Sequence, residues 1–203
     1  MNVLVKNCFH WVGFHVVNRF IMNGYHVDGI HYPNSFQKDY LSLFLGRNSN
    51  FSLVDQGTGI YDLAITINTA ETASSRNKEN GYEELTIEQG SQLTTIFTPL
   101  LFGEWMQMNE EGIYISDEHV LFRSNLFLDQ AVYIKDFTQD LYQLVKTTNL
   151  PSTIDMSTKT NLKKEDKKLD NTIFIRDNIP IRSKLEHLLA HYEKFENYYE
   201  RFN

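Results

Sequence analysis

Asn2-Val-Leu-Val-Lys6 is typical of a short buried strand, and the loop Asn7-Cys-Phe-His10 follows it directly. Apolar residues then recur at helical spacing over residues 12–23, and Asn23-Gly24 is a typical helix stop. Residues 25–30, Tyr-His-Val-Asp-Gly-Ile, are typical of a second strand. This order is half of a βαβ unit, and it predicts an α/β protein with a parallel sheet.

Later segments of the first half extend this pattern. Residues 34–37 resemble a capping box, and apolar residues at helical spacing follow it up to Gly46. Residues 51–54 predict a short strand, and the nearly continuous apolar run 61–68 predicts a central parallel strand. A short helix over 82–89 is expected next, followed by a strand over 92–97 that is joined to strand 61–68 by a right-handed parallel crossover.

The second half mixes short strands with two helices. Residues 136–146 carry one apolar helical face, and a capping box at 183–186 opens a terminal helix with an apolar stripe. Short strands are predicted at 113–115, 120–123, 131–134, 153–156 and 172–175.

Composition limits the function classes. The formal net charge of −7 disfavours nucleic acid as the main partner, because phosphate binding needs a concentrated basic surface. No apolar run approaches the roughly 20 residues needed to cross a bilayer, so no membrane partner is expected. Met1 leads directly into the first strand without a signal segment, and Cys8 is the single cysteine. We therefore expect a cytoplasmic protein.

The loop after the first strand departs from the dinucleotide-binding pattern. That pattern has glycines at the places of residues 7, 10 and 13, whereas this chain has Asn7, His10 and Gly13. The first two glycines make the turn and admit the pyrophosphate, and the third permits close helix packing. An acidic residue that binds ribose normally ends the second strand, but Ile30-His31 stands there. Gly13 is thus a vestige of cofactor binding, and Asn7, His10 and His31 are candidates for lining a ligand crevice.

Four segments in this order resemble the extended short-chain dehydrogenase/reductase family, which contains the NAD-dependent epimerases and dehydratases of nucleotide sugars. The segments are residues 3–15, 62–68, 93–103 and 131–136. The resemblance implies a shortened Rossmann-like parallel sheet, ordered 3-2-1-4 plus one further strand, with helices on both faces. It further implies a Rossmann-like domain at 1–98 and a small C-terminal α+β lobe at 99–203, packed together as one structural unit.

The family's catalytic segment has no counterpart at its usual place. In the family, a helix that bears Tyr-x-x-x-Lys lies between the fourth strand and the strand that residues 93–97 resemble. Only about twenty residues are available there, too few for the full set of elements. Tyr142-Gln-Leu-Val-Lys146 lies in the second half and is interpreted as a chance match. No catalytic residue is therefore predicted, and the family's dimer interface, formed by the same helices, is expected to be missing.

Two possible metal sites are weak. His187 and His191 lie four residues apart on the terminal helix, a spacing that can hold zinc, but no third ligand is evident and a solvated helix edge is favoured. Cys8, His10 and His31 could meet at the carboxyl ends of the first two strands and hold a metal or small anion. We predict no metal at either place.

Phe9, Trp11 and Phe14 crowd the altered loop, and two interpretations stay open. If these rings are exposed, they form an apolar patch that marks a partner surface. If they are buried, they fill the volume that the cofactor occupies in the family.

Three hypotheses of function follow. The first is a non-catalytic, epimerase-like protein that binds a protein partner or a small ligand and uses no cofactor. The second is a NAD(P)-dependent epimerase, dehydratase or reductase in which His10 donates to a phosphate. The third is a structural subunit that pairs with a full-length homologue, which co-purification would reveal.

Overall fold

The computed structural model describes residues 1–31, 38–68, 73–74, 82–116, 118–158, 171–175 and 179–199. The described helices are α1 Trp11–Met22, α2 Lys38–Leu45, α3 Asn125–Gln130, α4 Ile134–Leu144 and α5 Ile181–Phe195. The described strands are β1 Asn2–Lys6, β2 His26–Ile30, β3 Phe51–Leu53, β4 Leu63–Ile67, β5 Glu84–Gln89, β6 Gln92–Phe97, β7 Leu101–Phe102, β8 Gly112–Ile115, β9 Glu118–Leu121, β10 Val132–Tyr133, β11 Thr153–Ser157 and β12 Thr172–Phe174.

Eight strands form one sheet in the order β12-β11-β6-β5-β4-β1-β2-β3. All neighbours pair in parallel except at β5, which is antiparallel to both β4 and β6. The predicted order 3-2-1-4 of the first four strands is confirmed. The chain thus has a mixed α/β fold with a mostly parallel sheet, as the Rossmann-like prediction requires.

The helix predicted over residues 82–89 is wrong, because β5 occupies most of this range. Leu85 and Ile87 are buried and alternate with the less buried Thr86 and Glu88, which is the period of a strand and not of a helix. A two-residue turn at Gly90, with φ +61°, then returns the chain into β6 as a hairpin. The predicted parallel crossover into β6 is therefore also wrong, although two reversals leave β6 parallel to β4.

The sheet continues into the C-terminal half of the chain. β11 pairs in parallel with β6, and β12 pairs in parallel with β11. The segment between β6 and β11 contains two small two-stranded sheets, β7 with β10 and β8 with β9. The division at residue 98 stays a prediction, and the main sheet runs across it.

Four helices pack together on one face of the sheet, around α1. The Phe14 ring of α1 contacts Trp105, which in turn contacts Phe44 of α2 and Phe195 of α5. Arg19 of α1 donates to the Lys135 carbonyl of α4 at 2.9 Å. At the centre of the opposite face, Lys6 pairs with Glu88 at 3.1 Å, and both side chains are partly exposed. The helix layer predicted for that second face is not among the described residues.

The core lies between this helix layer and the sheet. Its strand residues include Val5, Ile65 and Ile87, and α1 adds Val12, Val16, Val17 and Phe20, all at most 1% exposed. Within the described ranges, the chain contains no helix with the length and apolar character that crossing a membrane demands.

Candidate functional site at the carboxyl edge of the sheet

The turn after β1 keeps its shape without the first glycine. Asn7 adopts a left-handed backbone with φ +64°, a conformation that asparagine tolerates better than most residues. Its side-chain amide donates to the Ile67 carbonyl at the end of β4 (3.4 Å), and its carbonyl accepts from His10 N at 3.1 Å. Cys8 N donates to the Ile30 carbonyl at the end of β2 (3.0 Å). The loop is thereby tied to both strands that flank β1.

His10 replaces the second glycine and caps α1 with its own side chain. Its backbone is extended, and Nδ1 accepts from Val12 N at 3.4 Å. An amide in the first turn of a helix has no partner within the helix, and in dinucleotide-binding proteins such amides point at the pyrophosphate. In this protein, the His10 imidazole accepts a hydrogen bond from one of those amides, Val12 N.

Glu83 places a carboxylate beside the same helix start. Its Oε1 accepts from Trp11 Nε1 at 3.2 Å and lies 3.6 Å from His10 Nε2. Thr98, which follows β6, holds the Glu83 carbonyl through its backbone N (3.3 Å) and its hydroxyl (2.7 Å). A negative charge at a helix N-terminus is favourable, so the protein supplies from its own chain the type of charge that a pyrophosphate would bring.

Glu84 adds a second carboxylate at this edge and is itself buried. It accepts from Asn68 Nδ2 at 2.7 Å, from Ser74 Oγ at 2.5 Å and from Ser74 N at 3.1 Å. The sequence reasoning missed both acids because it placed a helix over this segment. The available signal was the alternation of Leu85, Thr86 and Ile87, which indicates a strand. Because this strand is antiparallel to β4, its start lies at the carboxyl end of β4 and brings the two acids there.

Gly13 lies where helix packing requires a glycine. A Cβ at this position would stand 2.3 Å from the Asn7 carbonyl oxygen, much closer than atoms can approach. Gly29 in β2 is similarly enclosed, because its Cβ would stand 2.7 Å from the Phe51 ring and 2.8 Å from Cys8 Sγ. The loop and the first turn of α1 therefore pack as tightly as in a dinucleotide-binding unit.

The three aromatic residues of the loop are buried. Phe9 is 0% exposed, Trp11 9% and Phe14 7%. The centroid of the Phe9 ring lies 6.0 Å from that of His31, which follows β2, and 6.4 Å from that of Phe51, at the start of β3. The interpretation as an exposed partner patch is therefore wrong, and their burial is confirmed.

The cysteine and histidines considered for metal binding do not meet at a common site within the described ranges. Burial raises the pKa of the Cys8 thiol to about 12, so this thiol is protonated at neutral pH. His191 packs edge-on against Trp105 with ring centroids 4.5 Å apart, while His187 faces solvent. Within the described ranges, no three His, Cys, Asp or Glu side chains are grouped so that they could hold a metal ion.

A buried polar cluster around Glu104 was not predicted. Tyr133 donates its hydroxyl to Glu104 Oε1 at 2.8 Å, and the Lys135 ammonium pairs with the same oxygen. His15 Nε2 lies 3.0 Å from the Glu104 carbonyl oxygen and 3.8 Å from Oε2. Oε2 is buried without a hydrogen-bond partner among the described residues. Because these residues are far apart in sequence, no local motif predicts the cluster.

Burial and charge set the protonation of this cluster. Burial lowers the pKa of His15 to about 4, although the nearby Glu104 carboxylate acts in the opposite direction. Burial would raise the pKa of Glu104, but the charges of His15 and Lys135 outweigh it and lower that pKa to about 2. At neutral pH the cluster therefore holds a neutral His15 and an ionised Glu104.

Trp105 follows Glu104 and has a left-handed backbone with φ +70°. A bulky residue in this region is an outlier that its surroundings must hold in place. Trp105 N donates to the Tyr199 hydroxyl at 3.2 Å, and that hydroxyl lies 2.7 Å from His191 Nδ1. The C-terminal segment thus fixes the backbone of Trp105.

One arrangement on β2 and β3 looks like a nucleophilic triad but differs from one in its geometry. His26 Nε2 lies 3.2 Å from Asp28 Oδ1 and 3.4 Å from Ser52 Oγ. In a triad, the carboxylate and the nucleophile contact opposite ring nitrogens. Here both contact the same nitrogen, so His26 cannot relay a proton between them.

The Tyr142–Lys146 pair lies far from the loop. The Tyr142 ring contacts Phe20 (5.6 Å) and Tyr25 (6.0 Å), and Lys146 Nζ lies 3.9 Å from its centroid. Tyr25 precedes β2, so the pair is at the amino edge of the sheet, whereas the loop of Asn7 and His10 is at the carboxyl edge.

No model of a known protein family and no curated protein matches this sequence. The resemblance to the extended short-chain dehydrogenase/reductase family therefore stays a proposal, supported by the ordered segments and by the strand order.

Proposed function

We propose that this protein is a non-catalytic relative of the nucleotide-sugar epimerases, and that it acts by binding a protein partner or a small ligand. The observation that carries the proposal is the Glu83 carboxylate at the start of α1, 3.2 Å from the Trp11 indole nitrogen. In the family, the pyrophosphate of NAD lies at the N-terminus of the corresponding helix, the end beside which the Glu83 carboxylate lies here.

Electrostatics argue against a dinucleotide in that pose. Two unit charges of the same sign at about 4 Å repel by about 4 kcal/mol at an effective dielectric constant of about 20. A helix N-terminus attracts an anion by only about 0.3–1 kcal/mol. A phosphate that came this close to the Glu83 carboxylate would therefore be repelled by more than α1 attracts it. The His10 imidazole also accepts already from the Val12 amide.

The position of Tyr142 and Lys146 supports the part of the proposal that the protein is non-catalytic. A general acid or base has to come within hydrogen-bond reach of the reacting atoms, directly or through one water molecule. This pair contacts Tyr25 and Phe20 at the opposite edge of the sheet. It is therefore in no position to serve the nicotinamide of a dinucleotide whose pyrophosphate lies over Gly13.

Calorimetric titration with NADH and NADPH tests the proposal, together with assays of turnover of UDP- and dTDP-sugars. We expect no saturable binding to the wild type, and weak binding in the double variant His10→Gly, Glu83→Gln, which removes the imidazole and the charge. Glu88→Gln is the matched control, because Glu88 lies in β5, which directly follows Glu83, and pairs with Lys6 on the open face. Tight binding to the wild type, accompanied by turnover, contradicts the proposal.

The preserved shape of the loop favours a second candidate, a NAD(P)-dependent epimerase or reductase with an atypical loop. Asn7 has a backbone that a glycine turn would have, and Gly13 retains its tight contact with the Asn7 carbonyl. In this candidate, His10 donates to a phosphate and Glu83 swings away. Wild-type binding that weakens in His10→Gly would support it.

A further inference from the structure

Helix α5 is docked on the body through few buried residues. Of its fifteen residues, only Lys184 and Leu188 are fully buried. Its other core-facing side chains are only partly buried: Ile181, Leu185, Leu189, Tyr192 and Phe195. Most helical stability in proteins comes from burying one face, so α5 opens at a lower free energy than α1, which buries nine of its twelve residues.

Its docking depends on specific polar and aromatic contacts. Lys184 Nζ pairs with Asp136 Oδ2 of α4 at 2.7 Å. The His191 and Phe195 rings lie 4.5 Å and 5.4 Å from the Trp105 ring. Together with Leu188, these anchors recur at i, i+4, i+7 and i+11, the spacing of a helix bound in a groove.

The residues that α5 contacts on the rest of the protein form one surface. We call the surface of Phe44, Trp105 and Asp136 the α5 groove, because the side chains of α5 lie on all three. Trp105 keeps its left-handed backbone while its N–H donates to Tyr199 at 3.2 Å. Departure of α5 allows that strained residue to relax, which makes departure easier.

We propose that the α5 groove is a helix-binding site that α5 covers in cis, and that an amphipathic helix of a protein partner displaces it. This inference rests on the proposed function, because it names the class of partner. The partner helix carries a basic residue at the first anchor for Asp136, an aliphatic residue at the second, and aromatic or imidazole rings at the third and fourth. The net charge of −7 further favours a basic partner helix.

A fluorescent peptide of residues 180–199, titrated into the intact protein and followed by anisotropy, tests the site. Its apparent affinity is its intrinsic affinity reduced by the fraction of protein in which α5 is displaced. Tyr199→Phe in the protein removes the hydroxyl that contacts both Trp105 N and His191, while the peptide keeps its own tyrosine. We expect the apparent Kd to fall roughly fivefold, the effect of one hydrogen bond of ordinary net strength.

Tyr61→Phe is the matched control, because its hydroxyl donates to Asp28 at 2.9 Å, on a strand that is not part of the groove. It should leave peptide binding at the wild-type value. A peptide with Lys184→Glu should not bind, since it brings a carboxylate to Asp136. Thermal melts establish that each variant is folded. If Tyr199→Phe is unfolded, His191→Gln replaces it in the same comparison.

Several results overturn the inference. These are absence of peptide binding to every variant, equal affinities for the wild type and Tyr199→Phe, and equal binding of the Lys184→Glu peptide. If the protein forms a concentration-dependent dimer that the peptide dissociates, the α5 groove binds a second copy of this chain and not a helix of another protein. Nucleotide titration is a separate measurement, so failure of the proposed function and failure of this site can be distinguished.

Discussion

The buried histidine His15 makes the stability of the protein depend on pH in a window that can be calculated. Burial lowers its pKa from 6.5 to about 4 in the folded state. The unfolded chain therefore binds more protons than the folded chain between these two values. The stabilisation is fully present above pH 6.5 and is lost as the pH falls toward 4.

The magnitude follows from the two pKa values. At about pH 5, the linkage relation gives a loss of about 2 kcal/mol relative to about pH 7.5 from His15 alone. Glu104 adds little in this window, since its pKa falls from 4.5 to about 2 and its stabilisation is lost only at lower pH.

Urea unfolding of the wild type and of His15→Gln at several pH values measures this loss. The other histidines titrate in both proteins, so the difference between the two pH profiles isolates His15. We expect the wild type to lose about 2 kcal/mol more than the variant between about pH 7.5 and pH 5. Parallel profiles would refute the assignment of His15 as a neutral, buried side chain in the folded state.

Three further predictions concern the loop and the amino edge. Gly13→Ala should lower the free energy of unfolding by about 2 kcal/mol or more, because its Cβ would collide with the Asn7 carbonyl at 2.3 Å; urea unfolding measures this. Cys8 should resist iodoacetamide in the folded protein at mildly alkaline pH and react after unfolding, as mass spectrometry will show, since burial raises its pKa to about 12. Lys146→Met should lower the unfolding free energy by about 0.5–1 kcal/mol, because the ammonium lies 3.9 Å from the Tyr142 ring centroid. A Gly13→Ala protein of wild-type stability, prompt labelling of Cys8 or an unchanged Lys146→Met melt would contradict the respective contact.

The first βαβ unit could be predicted because its signals are local. The apolar period, Asn23-Gly24 and the position of Gly13 each depend on neighbouring residues. The strand order of β1 to β4 is what the family resemblance implies, and the sheet confirms it. The sequence does not predict the hairpin of β5 and β6 if residues 82–89 are interpreted as a helical crossover, whereas the alternation of Leu85 and Ile87 indicates a strand.

The polar sites could not be predicted from spacing. Glu83 meets Trp11 across 72 positions, and Glu104 meets Tyr133 across 29. Such contacts depend on how the sheet brings distant segments together, and a sequence period carries no information about that. The sequence does not decide the burial of Phe9 for the same reason, since aromatic residues in a loop are found both inside proteins and at partner surfaces.

The proposal depends on the His10 and Glu83 side chains at the start of α1 keeping a pyrophosphate away from Gly13. A crystal structure after soaking in NADH tests it most directly. We expect no dinucleotide over Gly13, with the Glu83 carboxylate still hydrogen-bonded to the Trp11 indole. A diphosphate seated on the first turn of α1, with Glu83 turned away and the nicotinamide ordered, would contradict it.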